Sequence, residues 1–580
     1  MMKSIYYYTV LILMIVFTNS CSDFLEVPTK NFVSDDVLWS TEANADLFLN
    51  DIYNKLPNVQ DQTQHLDQYT DNSDVGAEWM EGWKYIGNAQ ITAESFPDGL
   101  GATDGDGFQE GMWHWGNAYE RIRKCNIFIA KVTESQALSE EYKTRRVAEA
   151  RFVRALSYHW LWMSYGGVPL LTDALNNQDA GLTLEHPRAT AEETFHFIQR
   201  ELSAIAAVLP ETVSGNDYGR ATKGAALTLK GWCELFHASI LRNPSNDIER
   251  WKEAAKTNKE VIEMGVYDLA ANFHELFMVN NNIESIFARQ YGPDKGSKKE
   301  GRLGPVRLGS TPAGWGNFQP TQQLVDDFSM VNGLAIHEPG SGYDPQKPYE
   351  GREKRFYETI VYDNSMWGEY LITTRVGGNN PIDLEYASDY THTGYYAHKR
   401  LNTEKEPSLF HDGKSYENYM FFRFGEVLLN FAEAENEVNG PTASVLAAVD
   451  KVRTRSGNLP SIQESYGAVT KDKMREIIRR ERRVELCFED KRWWDVLRWK
   501  IAEKLSDGSP GVLNRPQQGM YITEHEDGTL TYEVVEVRSR LFLPKMYLMP
   551  VPQEVIDQNP AIAAQNGGED NWSNGQNPGY

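Results

Sequence analysis

The sequence predicts an all-α (mostly α) scaffold carrying a loop-rich face with a few short strands or hairpins. Three observations lead there. Apolar residues recur at three- and four-residue spacings through two long blocks of the chain. Glycines and prolines stop those patterns at ordinary helix length. Between the blocks, residues 291–418 are rich in Gly, Pro, Asn and Tyr and offer only short strand-like runs such as 356–362.

The first block predicts helices over 44–56, 109–133, 140–165, 191–209, 222–241 and 248–264. In the third of these, Phe152, Leu156, Trp160 and Met163 trace one face, Gly166-Gly167 supplies a glycine stop, and Pro169 prevents continuation. The second block predicts helices over 426–438, 443–456 and 471–504. Within it, 475–500 alternates in charge. Glu476 and Arg480 are four apart and Arg492 and Asp495 three apart, spacings at which pairs meet on one helix face. Trp493, Trp494, Leu497 and Trp499 add apolar surface, so this segment is expected to be partly buried scaffold. Residues 524–534 read as a hairpin around Asp527-Gly528. Short helices joined by tight turns predict a tetratricopeptide-like stack, although no clean repeat of that period is visible.

The formal net charge of −24 excludes a nucleic-acid binder, which needs a basic stripe to meet phosphates. The basic stretches 295–299 and 475–483 are too brief or interrupted to supply one. A neutral or cationic ligand suits such a surface better than an anionic one. Aromatic residues make up 12% of the chain, with 15 Trp and 29 Tyr. Most are core filler in a large helical protein, but exposed rings can stack on the apolar faces of sugars or peptides.

The N-terminus predicts export. Lys3 gives a positive n-region, residues 5–17 are apolar, and Thr18-Asn19-Ser20 precede Cys21. The apolar run is shorter than the ~20 residues of a spanning helix. A cysteine directly after such a region resembles a bacterial lipobox, with Thr18 where many carry Leu. Residues 1–20 are therefore expected to be a lipoprotein signal and Cys21 the lipidated N-terminus. Cys125, Cys233 and Cys487 lie in helix-patterned runs with no C-x-x-C, which predicts buried thiols rather than disulfides or zinc.

Catalytic signatures are missing. There is no H-E-x-x-H and no G-x-S-x-G, and Gly413-Lys414-Ser415 lacks the preceding glycine of a phosphate loop. Asp104, Asp106 and Glu110, within a Gly-rich stretch that begins at Asp98-Gly99, form the one candidate calcium loop, set against the ordinary use of Asp and Gly in turns. A glycosidase needs two carboxylates across a bond, and with 82 acidic residues a suitable pair is always available.

Several stretches resemble the SusD/RagB family of nutrient-binding outer-membrane lipoproteins. They are CSDFLE at 21–26, AEARFVRALSYHWLWMSYGGVPL at 148–170, GRATKGAALTLKGWCELFHA at 219–238, FRFGEVLLNFAEAENEVNG at 422–440, VDKVRTRSGN at 449–458, REIIRRERRVELCFEDKRWWDVLRWK at 475–500 and QNPGY at 576–580. The resemblance implies tetratricopeptide-like helix pairs, a lipid anchor at the cell surface, and a SusC-like, TonB-dependent barrel as partner. It implies glycan or peptide ligands and no catalytic residues. The organisation expected is a signal over 1–20, a helical region over 21–270, and a region over 271–580 bearing ligand-facing loops, the two packed as one unit.

Two loop regions combine rings with polar side chains suited to sugar hydroxyls. One holds Asp71, Asn72, Asp74, Trp79 and Trp83, and the other Tyr291, Arg302, Arg307, Trp315, Asn317 and Phe318. Ligand contacts are expected at Asp71, Asn72, Trp79, Trp83, Tyr291, Arg302, Trp315 and Asn317, with Trp367 a weaker candidate. The function expected is capture of an oligosaccharide or similar nutrient for a transporter. The alternatives are a helical glycoside hydrolase, or a peptide-binding or protein-interaction subunit without glycan affinity. Replacing the thiol, Cys21→Ala, is expected to release the protein from the membrane fraction and abolish lipid labelling; unchanged fractionation would remove the case for the anchor.

Overall fold

A computed structural model of the chain describes residues 35–61, 65–76, 83–95, 114–175, 185–386 and 390–580. Its scaffold consists of α1 (Glu42–Asn54), α2 (Trp115–Glu134), α3 (Glu140–Tyr165), α4 (Ala191–Ala206), α5 (Lys223–Ala238), α6 (Ile248–Glu263), α7 (Phe424–Asn439), α8 (Ala443–Val452), α9 (Lys471–Leu486) and α10 (Arg492–Arg498). Local chemistry sets many of the helix starts. Thr222, Thr442 and Thr470 each accept a backbone N–H at the start of a helix, and Thr190 forms a reciprocal capping box with Glu193. At the end of α3 the left-handed Gly166 (φ 76°) closes the helix, as the glycine pair predicts.

From α2 to α7 each helix packs on the next, so the mostly helical expectation is met by a continuous stack. The neighbour of α6 in that stack is α7, and segment 264–423 is inserted between them. Strands are short. They include β1 (Ser73–Asp74), β2 (Ser285–Arg289), β3 (Gln319–Pro320), β4 (Tyr419–Arg423), β5 (Gln517–Glu524) and β6 (Leu530–Arg538), paired antiparallel as β1 with β3, β2 with β4 and β5 with β6. The largest apolar cluster runs from Trp39 through the helices to Ile562, and a second gathers Leu303, Phe356, Trp367, Tyr395 and Phe488 beneath the loops. Cys125, Cys233 and Cys487 are buried and unpaired. Among the described residues no helix is long and apolar enough to cross a membrane.

Three sequence expectations need correction. Residues 471–504 do not form one helix, because Phe488 (φ 61°) and Asp490 (φ 58°) take left-handed backbone between α9 and α10. That turn is bound from outside: Lys399 Nζ donates to the carbonyls of Glu485 and Cys487, and Asp490 N–H donates to the Asp67 carboxylate. The strand-like run 356–362 is the helix Lys354–Thr359 followed by the two-residue strand Ile360–Val361. Nor do the two pairs that spacing predicts, Glu476 with Arg480 and Arg492 with Asp495, form within 475–500; the partners are others. Arg480 donates to the Tyr466 hydroxyl, Arg492 clasps Asp71, and Asp495 accepts from Arg482 and Arg498.

Several of the recognisable sequences supply buried bonds of the scaffold. Arg423, closing β4, spends all five guanidinium N–H donors on Glu284, Glu485, Glu489 and the Glu485 carbonyl, at 2.7–2.8 Å. Arg355, from the inserted segment, reaches Glu353, Glu481 and Glu485 in the same buried cluster. The terminal motif is anchored likewise. Asn577 donates to the carbonyls of Tyr165 and Met549, while Arg188 joins Gly167, Tyr165, Gly575 and Asn577.

Burial opposes charge on Glu481 and Glu489, yet the cations around them (Arg355 and Arg453 for the first, Arg423 and Lys399 for the second) hold both carboxyls down at about 2. Their unfolded values lie near ~4.3, so the stability these pairs contribute is fully present above that pH and is lost as pH falls towards 2. Melting temperature should fall steeply across that window, measured by circular dichroism. A flat profile would show that the network does not hold ionised carboxylates.

Candidate functional site

The two loop regions singled out in the sequence meet in space. Strand β1 pairs with β3, placing Ser73 opposite Pro320 and Asp74 opposite Gln319. Gln68 Nε2 donates to the Asn317 carbonyl at 2.5 Å, and the His65 ring lies 4.7 Å from Phe318. Gly76 (φ 75°) makes this approach possible, since a Cβ there would sit 3.0 Å from the Gly316 carbonyl oxygen. A third segment joins them. His392 N–H donates to Gln319 Oε1, its ring Nδ1 lies 2.9 Å from Asp74 Oδ2, and Arg538 Nε lies 3.1 Å from Asp74 Oδ1.

Trp315 is displayed beside this junction. Its side chain is 47% exposed, against 2% for its sequence neighbour Phe318, which stacks on Phe488 inside the core. The backbone under it is fixed by three hydrogen bonds: Gly314 N–H to Pro305 at 2.8 Å, Trp315 N–H to Gly301 at 2.8 Å and Gly316 N–H to Gly304 at 2.9 Å. Both flanking glycines are required. A Cβ on Gly314 would fall 2.3 Å from the Gly304 carbonyl oxygen, and one on Gly316 (φ 63°) 2.7 Å from the Tyr396 ring. The Arg302 guanidinium lies 5.4 Å from the indole centroid and the His411 ring 5.3 Å away, tilted by 37°. The result is a large, pre-positioned aromatic surface with cationic and imidazole neighbours. Such a surface can stack against the C–H face of a sugar at little ordering cost.

The other expected contacts are distributed unevenly. Asp71 is buried and bonded to Arg492 at 2.8 and 2.9 Å; burial disfavours its charge, but Arg483 and Arg492 hold the carboxyl well below its usual range. Asn72 is buried between Asp67 and Arg483, donating to the first and accepting from the second. Both side chains lock the loop to α9 and α10 rather than face outward. Arg302 and Asn317 are buried under the Trp315 loop, and Tyr291 is buried with its hydroxyl on Asn58 Oδ1 at 2.6 Å. Trp367 is fully buried in the second core cluster. Trp83 opens the turn Trp83–Gly87, its side chain outside the described residues. Trp79 lies outside them too, as do Cys21 and the calcium candidates Asp104, Asp106 and Glu110; among the described residues no cluster of acidic, His and Cys side chains is arranged to hold a metal ion. Sequence reading missed His411, His392 and the glycine frame around Trp315. Only the Gly-Trp-Gly string at 314–316 carried a legible signal for any of them.

Among the described residues, then, the helical stack carries an inserted loop face with an exposed aromatic platform. The chain belongs to the SusD family: a model of that family matches residues 283–572, and a second, described as starch-binding associating with outer membrane, matches residues 23–230. A SusD-like protein of Formosa agariphila is 26% identical over 504 residues, covering 83% of this chain and 87% of that one. Among solved structures, a SusD-like protein of Bacteroides fragilis is 27% identical with a TM-score of 0.74, covering 94% of this chain and 99% of that one. A SusD-like carbohydrate binding protein of the same species is 25% identical with a TM-score of 0.72, covering 90% and 99%.

Adding one methyl group tests the platform's rigidity. Gly314→Ala should raise amide hydrogen exchange across 313–317 at least about tenfold while α3 keeps its protection. Unchanged exchange would show that the glycine frame does not hold the ring.

Proposed function

We propose that this protein captures an oligosaccharide at the outer membrane through Trp315 and passes it, uncleaved, to a SusC-like TonB-dependent transporter. The observation that carries this reading is the exposure of a tryptophan whose loop is pinned by three backbone hydrogen bonds. Burying so large a ring inside the protein would be favourable by about 2 kcal/mol, so a site that fixes it outward holds it ready for an external apolar face. The family's carbohydrate binding supports the choice of ligand class. The predicted signal and Cys21 supply the anchor, which keeps the binding face near the membrane. Stacking sets the orientation of the sugar ring, and polar groups brought by neighbouring loops select among hydroxyl patterns. Trp79 and Trp83 are proposed as further ring contacts, being close in sequence to β1, which lies against the Trp315 segment.

The test is a titration of the protein lacking residues 1–21 against neutral polysaccharides, with each mixture checked for cleavage products. Trp315→Ala should weaken the best ligand about tenfold, equivalent to ~1.4 kcal/mol, without lowering the melting temperature. Equal affinity in the variant would remove Trp315 from the site, and released product would make the protein a hydrolase.

A further inference from the structure

A second concavity lies away from Trp315, where α1 faces the end of β2 and the turn before Arg220. Its volume is about 480 Å³, and its walls include Asn50, Asn54, Asn216, Tyr218, Arg220 and Arg289. That volume falls within the range of small-molecule sites. Tyr218 is 52% exposed, on a turn bracketed by the left-handed Gly215 (φ 57°) and Gly219 (φ 86°). A Cβ on Gly219 would lie 2.4 Å from Gln290 Cγ, so the turn is packed hard against the strand beside it and the ring is held in place.

The charges of the wall do not cancel. Arg220 is neutralised by Asp217 at 3.0 Å and Glu149 at 3.1 Å, and Asp51 by Lys124. Among the described residues Arg289 has no carboxylate partner. It is 3% exposed, its terminal nitrogens donate to the carbonyls of Asn54 and Leu56, its guanidinium lies 5.7 Å from the Tyr291 ring centroid, and its Nε is buried without a hydrogen bond. A buried cation met by carbonyl dipoles and a ring face, with no carboxylate, still gains from a counter-charge. The amides add to the imbalance. Asn50 Oδ1 already accepts from Arg220 and Asn54 Oδ1 from Lys295, which leaves their N–H₂ groups as the unspent capacity. The wall is therefore rich in donors and positive, on a chain whose formal net charge is −24.

We infer that this cavity is a second saccharide site, selective for a sugar carrying a carboxylate or a sulfate ester. The anionic group meets the Arg289 field and the amide donors, and the ring face rests on Tyr218. This rests on the saccharide reading for the ligand's chemical class, but not on Trp315. It also reverses locally the preference for neutral or cationic ligands that net charge alone suggests.

The test uses the full mature chain and four-sugar probes: tetragalacturonate, a sulfated galactan tetrasaccharide and, as neutral control, cellotetraose. Calorimetric titration at low salt should show binding of at least one acidic probe. Tyr218→Ala should weaken it about tenfold, and Asn216→Asp, which adds a negative charge at an exposed rim position, should weaken it several-fold. Trp315→Ala should leave it unchanged, and whichever acidic probe binds identifies the anionic group. Failure of both acidic probes to bind, or equal binding in the Tyr218 and Asn216 variants, overturns the proposal. Loss of acidic-probe binding in Trp315→Ala alone would also overturn it, by moving the anion to the other site. A wild-type protein that binds tetragalacturonate through Tyr218 but no neutral polysaccharide would sink the Trp315 reading and leave this one standing.

Discussion

The buried cluster centred on Arg423 is the constraint on which the rest of the structure depends. One guanidinium at the junction of β4 and α7 holds Glu284 before β2, Glu485 on α9 and Glu489 in the turn that follows. Arg355 and Lys399, from the inserted segment, enter the same cluster through Glu485 and Glu489. Removing any one partner would strand a charge in the interior, at a cost of about 3–5 kcal/mol. The network thus fixes the inserted loops to the helical stack with directional bonds. Apolar packing alone would let the loops slide, since contacts between hydrophobic surfaces carry little angular preference.

That fixing reaches the proposed binding face. The segment around Asp71 is clamped to α9 and α10 by Arg483 and Arg492, and β1 then dictates where β3 lies. The Trp315 loop hangs between β3 and the short helix Lys299–Leu303, so the ring inherits its position from buried ion pairs well behind it. Binding energy can then go to the ligand rather than to ordering the loop. The Tyr218 turn follows the same logic by steric means, with a glycine pressed against Gln290. In both places an exposed ring is held by a backbone that has no freedom to retract it.

Periodicity and punctuation in the sequence determined the helical scaffold, the glycine stop at Gly166 and the burial of Cys125, Cys233 and Cys487, because each depends on neighbours within a few turns. Those signals are local, and α3 was legible to its exact ends. Rings and polar side chains in a loop context also brought Trp315 forward, without the meaning of the glycines on either side of it. They did not separate Trp315 from Trp367, or Asp71 from an outward-facing carboxylate. The partners that bury Trp367 and neutralise Asp71 come from distant parts of the chain.

What only the tertiary structure decided is which charges are structural and which remain to be answered. Spacing pairs Arg492 with Asp495 on one helix, whereas the fold gives Arg492 to Asp71 and Asp495 to Arg482 and Arg498. Net charge describes an acidic protein, whereas the fold gives Arg289 no carboxylate partner among the described residues and puts it in the wall of an open cavity. The physical reason is the same in each case. Helix formation is set by interactions across three or four residues, which a sequence displays. Electrostatic compensation in a low-dielectric interior is set by through-space distances of a few ångströms, and those exist only once the chain has closed on itself.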